Sequence, residues 1–277
     1  MKREIYVAAY ATLLAAGTTA QANYIDLFTE PAGGTSVVSD ASADGTPVYL
    51  EYEEPSGSDT ILGNYRDLIV NKTSGSGTGE SELKVEEGML QFSNASNTEG
   101  TGIVQWDGQD SGEPNVLEYG LNADLVNQDG CGLGCDNFAF EAVDPDLDFQ
   151  YKFAVYTTAT DYAVVAFGIA SSDGPLSFNI PFSTWESAAT GTSGTLGTSS
   201  SWTVESRSGS VSMSDVNAIE LILNSAPTGT ARLDVSLMSI TKSGPDEPEV
   251  PAPATLALLG LGLAGIGMVR RRRGGCS

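Results

Sequence analysis

The side chains able to do chemistry are unevenly supplied in this chain of 277 residues, which holds 36 acidic residues, three cysteines and no histidine. Without imidazole there is no Ser-His-Asp or Cys-His relay and no His-ligated zinc. Cys131 and Cys135 lie in a glycine-rich turn, Gly130-Cys131-Gly132-Leu133-Gly134-Cys135. In an exported protein this spacing favours a disulfide, with a free thiol pair as the alternative. Closing so short a loop contributes roughly 2 kcal/mol in the chain-entropy account. Zinc would need two further ligands, and the only other cysteine is Cys276. Asp144-Pro145-Asp146-Leu147-Asp148 has the alternate carboxylates of a calcium loop, but Phe149 and Val155 stand where an EF-hand needs Gly and Glu, so it reads as a polar turn entering a strand. Paired carboxylates can hydrolyse glycosides without histidine. With so many acidic residues some pair falls at a suitable separation by chance, and no Gly-x-Ser-x-Gly elbow or phosphate-binding glycine loop is present. The expectation is a protein that is not an enzyme.

The elements that must position these residues are strands. Val48–Tyr52, Met89–Phe92, Gly102–Trp106 and Phe138–Val143 are short, β-branched or aromatic, and bounded by turn residues. In Phe149–Tyr156 the apolar side chains alternate, which puts Phe149, Tyr151, Phe153 and Val155 on one face of a sheet. Further strands are expected at Tyr162–Ile169, Leu176–Ile180, Ala218–Leu223 and Leu233–Ile240. The Gly/Ser/Thr-rich runs Ser74–Gly79 and Ala188–Ser201 read as loops inside one fold. No amphipathic stretch of three helical turns occurs between residues 23 and 242. The expected fold class is all-β, a two-sheet antiparallel β-sandwich and most simply a jelly roll, over residues 23–242, followed by an acidic, Pro-containing stalk at 243–249. The formal net charge of −23 repels polyanions and excludes nucleic acid as a partner.

The two ends read as addresses. Met1-Lys2-Arg3, the apolar run Ile5–Ala16 and Ala20-Gln21-Ala22 have the three parts of a secretory signal peptide over residues 1–22, cleaved between Ala22 and Asn23. Residues 250–269 carry no charge, enough to cross a bilayer core of about 30 Å as a helix. Arg270, Arg271, Arg272 and Arg273 follow directly and would orient a single C-terminal transmembrane helix with its basic end in the cytoplasm.

The tail from Val250-Pro251-Ala252-Pro253 through the Gly/Leu-rich run to Arg270–Arg273 resembles a PEP-CTERM sorting segment, here residues 250–277. In that family a Pro-Glu-Pro motif precedes an apolar span and a basic stop. Ala252 stands where Glu is usual, and Gly274–Ser277 extend past the basic stop. The resemblance implies an exosortase-like transpeptidase at the inner membrane as partner, and an exported protein that passes through a membrane-anchored precursor to the cell surface or the exopolysaccharide matrix.

A second resemblance is confined to two segments. Ala231–Ile240 is similar to the last strand of carbohydrate-binding-module jelly rolls, and Tyr24–Phe28 to the first. It implies a structural calcium between those strands, with Asp26 and Asp234 as carboxylate ligands. It also implies tryptophans that stack on sugar rings. Trp106, Trp185 and Trp202 are the candidates, and Trp185 and Trp202, which flank irregular chain, are the preferred ligand-binding residues. Together these readings give an exported, non-catalytic surface or matrix protein with a structural or adhesive role. The alternative is a calcium-stabilised carbohydrate-binding module for the matrix polysaccharide.

Overall fold

A computed structural model describes residues 24–29, 35–55, 60–75, 78–108, 117–127, 134–226 and 232–244. The expected signal cleavage between Ala22 and Asn23, Cys131, and the sorting segment with Val250–Pro253 and Arg270–Arg273 lie outside the described residues. The chain divides into two units, Met1–Gly244 and Pro245–Ser277, and the second lies wholly outside them.

The first unit is built from strands β1 (Tyr24–Asp26), β2 (Ser36–Asp40), β3 (Val48–Glu53), β4 (Tyr65–Gly75), β5 (Ser81–Glu86), β6 (Met89–Asn94), β7 (Thr98–Trp106), β8 (Asn137–Pro145), β9 (Phe149–Tyr156), β10 (Tyr162–Ile169), β11 (Leu176–Pro181), β12 (Ser193–Thr195), β13 (Ser201–Ser208), β14 (Ala218–Leu223), β15 (Asp234–Leu237) and β16 (Ser239–Ser243). They form two antiparallel eight-stranded sheets. In the first, β8 pairs with β11 and with the nearly continuous run β15–β16, β1 adds to β16, and β6, β5 and β2 follow beyond β15. The second has the order β12-β13-β10-β9-β14-β7-β4-β3.

The fold class is thus corrected in one respect. The two-sheet antiparallel β-sandwich is present, but the transmembrane helix joined to it is not supported. Among the described residues no helix is long and apolar enough to cross a membrane. Their α-helix, α1 (Ser183–Glu186), is a single turn, whereas a span takes about 20 residues.

Alternation places the core. Phe138 and Phe140 of β8 meet Tyr151 and Phe153 of β9 and Phe167 of β10 across the sandwich, with Phe138 and Phe153 edge-to-face at 5.0 Å and Tyr151 and Phe167 stacked at 4.7 Å. The sheets approach closely at Gly102, where a Cβ would lie 2.7 Å from the Phe92 ring, so any larger residue there forces the layers apart. Three strand boundaries fall where alternation puts them, at β9, β10 and β14. The expected strand over Leu233–Ile240 is interrupted at Met238, 48% exposed, whose N–H bonds the carbonyl of Glu141. Strands β12 and β13 reach into or follow the run read as loop.

Candidate functional site

Asp26 does not serve a cation. It is fully buried, and each carboxylate oxygen accepts two hydrogen bonds. Oδ1 takes the Phe28 N–H at 2.7 Å and Arg66 Nη1 at 3.0 Å; Oδ2 takes Arg66 Nη1 at 2.9 Å and Trp106 Nε1 at 3.0 Å. Arg66 is also fully buried, its guanidinium 5.1 Å from the Tyr52 ring centroid and 5.9 Å from that of Phe28. Burial pushes the Asp26 carboxyl upward, and Arg66, Trp106 and the Phe28 N–H pull it back. The acid is the anchor of an interior ion pair.

Asp234 cannot join it at a shared ion. Asp26 is in register with Ile240, six residues further along the β15–β16 run, which at about 3.3 Å per residue separates the two by roughly 20 Å. They also point to opposite sides, Asp26 into the core and Asp234 to solvent. Among the described residues no group of three or more Asp, Glu, Cys or His is placed to hold a metal ion. The calcium pair Asp26 and Asp234 is therefore corrected.

Of the two preferred tryptophans, the structure removes Trp185 from the surface and leaves Trp202 partly exposed. Trp185, on α1, is fully buried against Phe138 and Phe153, and its Nε1 donates to the Phe153 carbonyl at 3.1 Å. Trp202, on β13, is half-buried and packs on the core, and Gly194 of β12 lies against the indole so closely that a Cβ would sit 2.6 Å from Nε1. Trp106 is buried on Asp26. Large aromatic area is worth most in the core, and all three are used there. Cys135 is buried, and its expected partner Cys131 lies outside the described residues.

Of the Asp144–Asp148 segment, expected as a polar turn entering a strand, Asp144 and Pro145 still belong to β8 and Asp146–Asp148 make the bend into β9. Asp146 Oδ1 accepts the Asp234 N–H at 2.7 Å while the Asp146 N–H bonds the Asp234 carbonyl, and Asp148 Oδ1 accepts from the N–H and hydroxyl of Ser171. The bend does, however, border a feature with no cue in the local sequence. A groove of about 410 Å³ opens on the outward face of the first sheet. Pairing lines up Lys84, Gln91, Ser236 and Asp144 in one row across β5, β6, β15 and β8, with Ser93 and Asp234 beside each other in the next. Strand alternation makes this row polar, since Leu90, Phe92, Val235 and Leu237 between them face inward. Lys84 Nζ is held 3.0 Å from Glu86, and burial together with Asp146 pushes the Asp234 carboxyl upward against the pull of Arg232. Such a surface accepts hydroxyl donors at its acidic end and a weak acceptor at Lys84. Among the described residues none that lines it is aromatic.

With this geometry in place, comparison with known proteins bears on the tail. Residues 249–273 match the family model described as the PEP-CTERM protein-sorting motif, one residue earlier than the segment expected from the sequence. The motif implies an exported protein, sorted by a C-terminal signal and processed by an exosortase. No curated protein matches the chain.

Proposed function

We propose that this protein is an exported, non-catalytic component of the cell surface or extracellular matrix, delivered through its C-terminal sorting signal, with a structural or adhesive role. The sorting motif at residues 249–273 carries this reading. The attached domain fits it: one shared core spans both sheets, and the carboxylates of Asp146, Asp161 and Asp173 accept hydrogen bonds from backbone N–H groups that fix their turns. A Cys131–Cys135 disulfide belongs to the same proposal, as a stiffener of the Gly130–Cys135 turn.

The test is intact mass and cell fraction of the native protein beside a deletion of residues 249–273. The expected wild-type product begins at Asn23, is shortened near Pro251 and is found at the surface or in the matrix, while the deletion variant loses that destination. A wild-type chain that keeps Arg270–Ser277 overturns the sorting step. A second reading, a carbohydrate-binding domain without the Asp26 and Asp234 calcium, is favoured by the polar groove on the first sheet, whose spaced acceptors suit sugar hydroxyls.

A further inference from the structure

The outward face of the second sheet differs from that of the first in carrying aromatic rings. Tyr156 of β9 and Tyr162 of β10 are cross-strand partners with ring centroids 5.7 Å apart. Tyr119 packs edge-on to Tyr156 at 6.0 Å and is 39% exposed. The chain holding Tyr119 is tied to the sheet on both sides: the Glu118 N–H bonds Asp107 Oδ2, the Gly120 N–H bonds the Asp107 carbonyl, and the Leu121 N–H bonds the Asn217 carbonyl. Its ring is therefore held in place before any ligand arrives.

Polar groups beside the rings are left in a specific state. Gln105 is 4% exposed and donates Nε2 to Glu220 Oε2 at 2.7 Å. Among the described residues its Oε1 is buried with no hydrogen-bond partner. An unsatisfied buried acceptor is costly and calls for a donor. Burial raises the pKa of Glu220, and burial together with Glu220 raises those of Tyr119 and Tyr156, which puts carboxylate and phenols in one desolvated neighbourhood.

We infer that Tyr119, Tyr156, Tyr162, Gln105 and Glu220 form a binding site for a neutral polysaccharide. Each element of the arrangement narrows the ligand. The Gln105 and Glu220 oxygens need hydrogen-bond donors, which hydroxyls supply. Glu220 and the net charge of −23 disfavour anionic polymers. The exposed Tyr119 ring offers a face to the C–H surface of a sugar. A cation caged by aromatic faces is not accommodated, because the rings touch one another edge-to-face instead of converging on an open point. The inference rests on the carbohydrate-binding reading above and places the contact on the second sheet, away from the groove, where no described lining residue has a buried unsatisfied atom.

Affinity electrophoresis of the full-length protein through gels containing dextran, laminarin, alginate or chitosan tests it. Retardation is expected with a neutral polymer, dextran or laminarin. Tyr119→Ala should weaken it at least tenfold, Tyr119→Phe should preserve it, and Gln105→Leu should weaken it with little change in the unfolding midpoint. Asp144→Asn in the groove should change it less than twofold. Retardation that survives Tyr119→Ala and Gln105→Leu but falls with Asp144→Asn overturns the tyrosine site while keeping carbohydrate binding. Retardation by alginate or chitosan alone overturns the neutral ligand. No retardation in any gel overturns the inference together with the carbohydrate-binding reading.

Discussion

Asp26 and Asp173 use the same carboxylate in opposite surroundings. Asp26 is sealed in the core, where Arg66 and Trp106 replace the water it lost. Asp173, in the short turn after β10, gathers a loop around itself: Ser199 and Ser200 donate N–H groups at 3.1 and 2.9 Å, and the Thr198 and Ser200 hydroxyls bond it as well. Burial drives the Asp26 carboxyl upward, whereas hydrogen bonds from Ser200 and Thr198 hold Asp173 down at about 2. Asp161 repeats the surface pattern with Thr158 and Ser210. In a chain this acidic, then, a carboxylate's neighbours and not its presence decide whether it locks the interior or shapes a loop.

The comparison is broken most severely at Arg66. Arg66→Met leaves the Asp26 charge buried without its ion-pair partner and should cost about 3–5 kcal/mol in urea unfolding. Adding Asp26→Asn to it should recover a large part, because the stranded charge is gone. A loss below about 1 kcal/mol for the single variant would mean that the pair contributes little beyond packing.

A buried cation sharpens the contrast next. Lys242, on β16, is 2% exposed, and burial pushes its pKa down to about 8, opposed in part by Asp124. Its folded value lies below the unfolded one near 10.5, so between those values the unfolded chain binds the extra proton and stability rises with pH, by at most about 3 kcal/mol. Lys242→Met should flatten that rise in unfolding midpoints measured from pH 7 to 10.5. An unchanged slope would move the titration to another group.

The smallest effect is expected at Asp173. Its folded pKa is depressed, so its contribution is present above the unfolded value of 3.8 and lost as pH falls towards about 2. Asp173→Ala should lower the melting temperature slightly at pH 7 and remove that part of the acid sensitivity, with hydrogen exchange accelerated first at Ser199 and Ser200. Equal exchange in both proteins would show that the loop holds without the carboxylate.

Much of the architecture was legible because alternation is a local signal. Phe149–Tyr156 shows its buried face without reference to any partner. Tyr65–Gly75 does not, since both faces of its middle are covered and its charges, Arg66, Asp67 and Lys72, suggest a surface strand. Those charges are matched within the fold: Lys72 Nζ reaches the carbonyls of Ala41 and Gly79 at 2.9 and 2.7 Å. The site was harder to read for the same reason. Asp26 meets an arginine 40 residues away and an indole 80 residues away, and nothing near it in the chain announces either. The tyrosines come together through the β9–β10 register and a tethered loop, so no spacing along the chain marks them.

The pairing of β1 with β16 has a consequence for how the protein is made. Tyr24–Asp26, at the start of the described chain, pairs as a strand with Ser239–Ser243, while Asp26 is also bridged to Ile61, so among the described strands this one waits longest for its strand partner. The side-chain partners of Asp26, Arg66 and Trp106, lie much nearer to it in sequence than the strand that pairs with β1. Such long-range closure is slow and costly in loop entropy. The last described strand thus lies just ahead of the sorting motif at residues 249–273, and a chain cut short before it would lose the strand partner of Tyr24–Asp26.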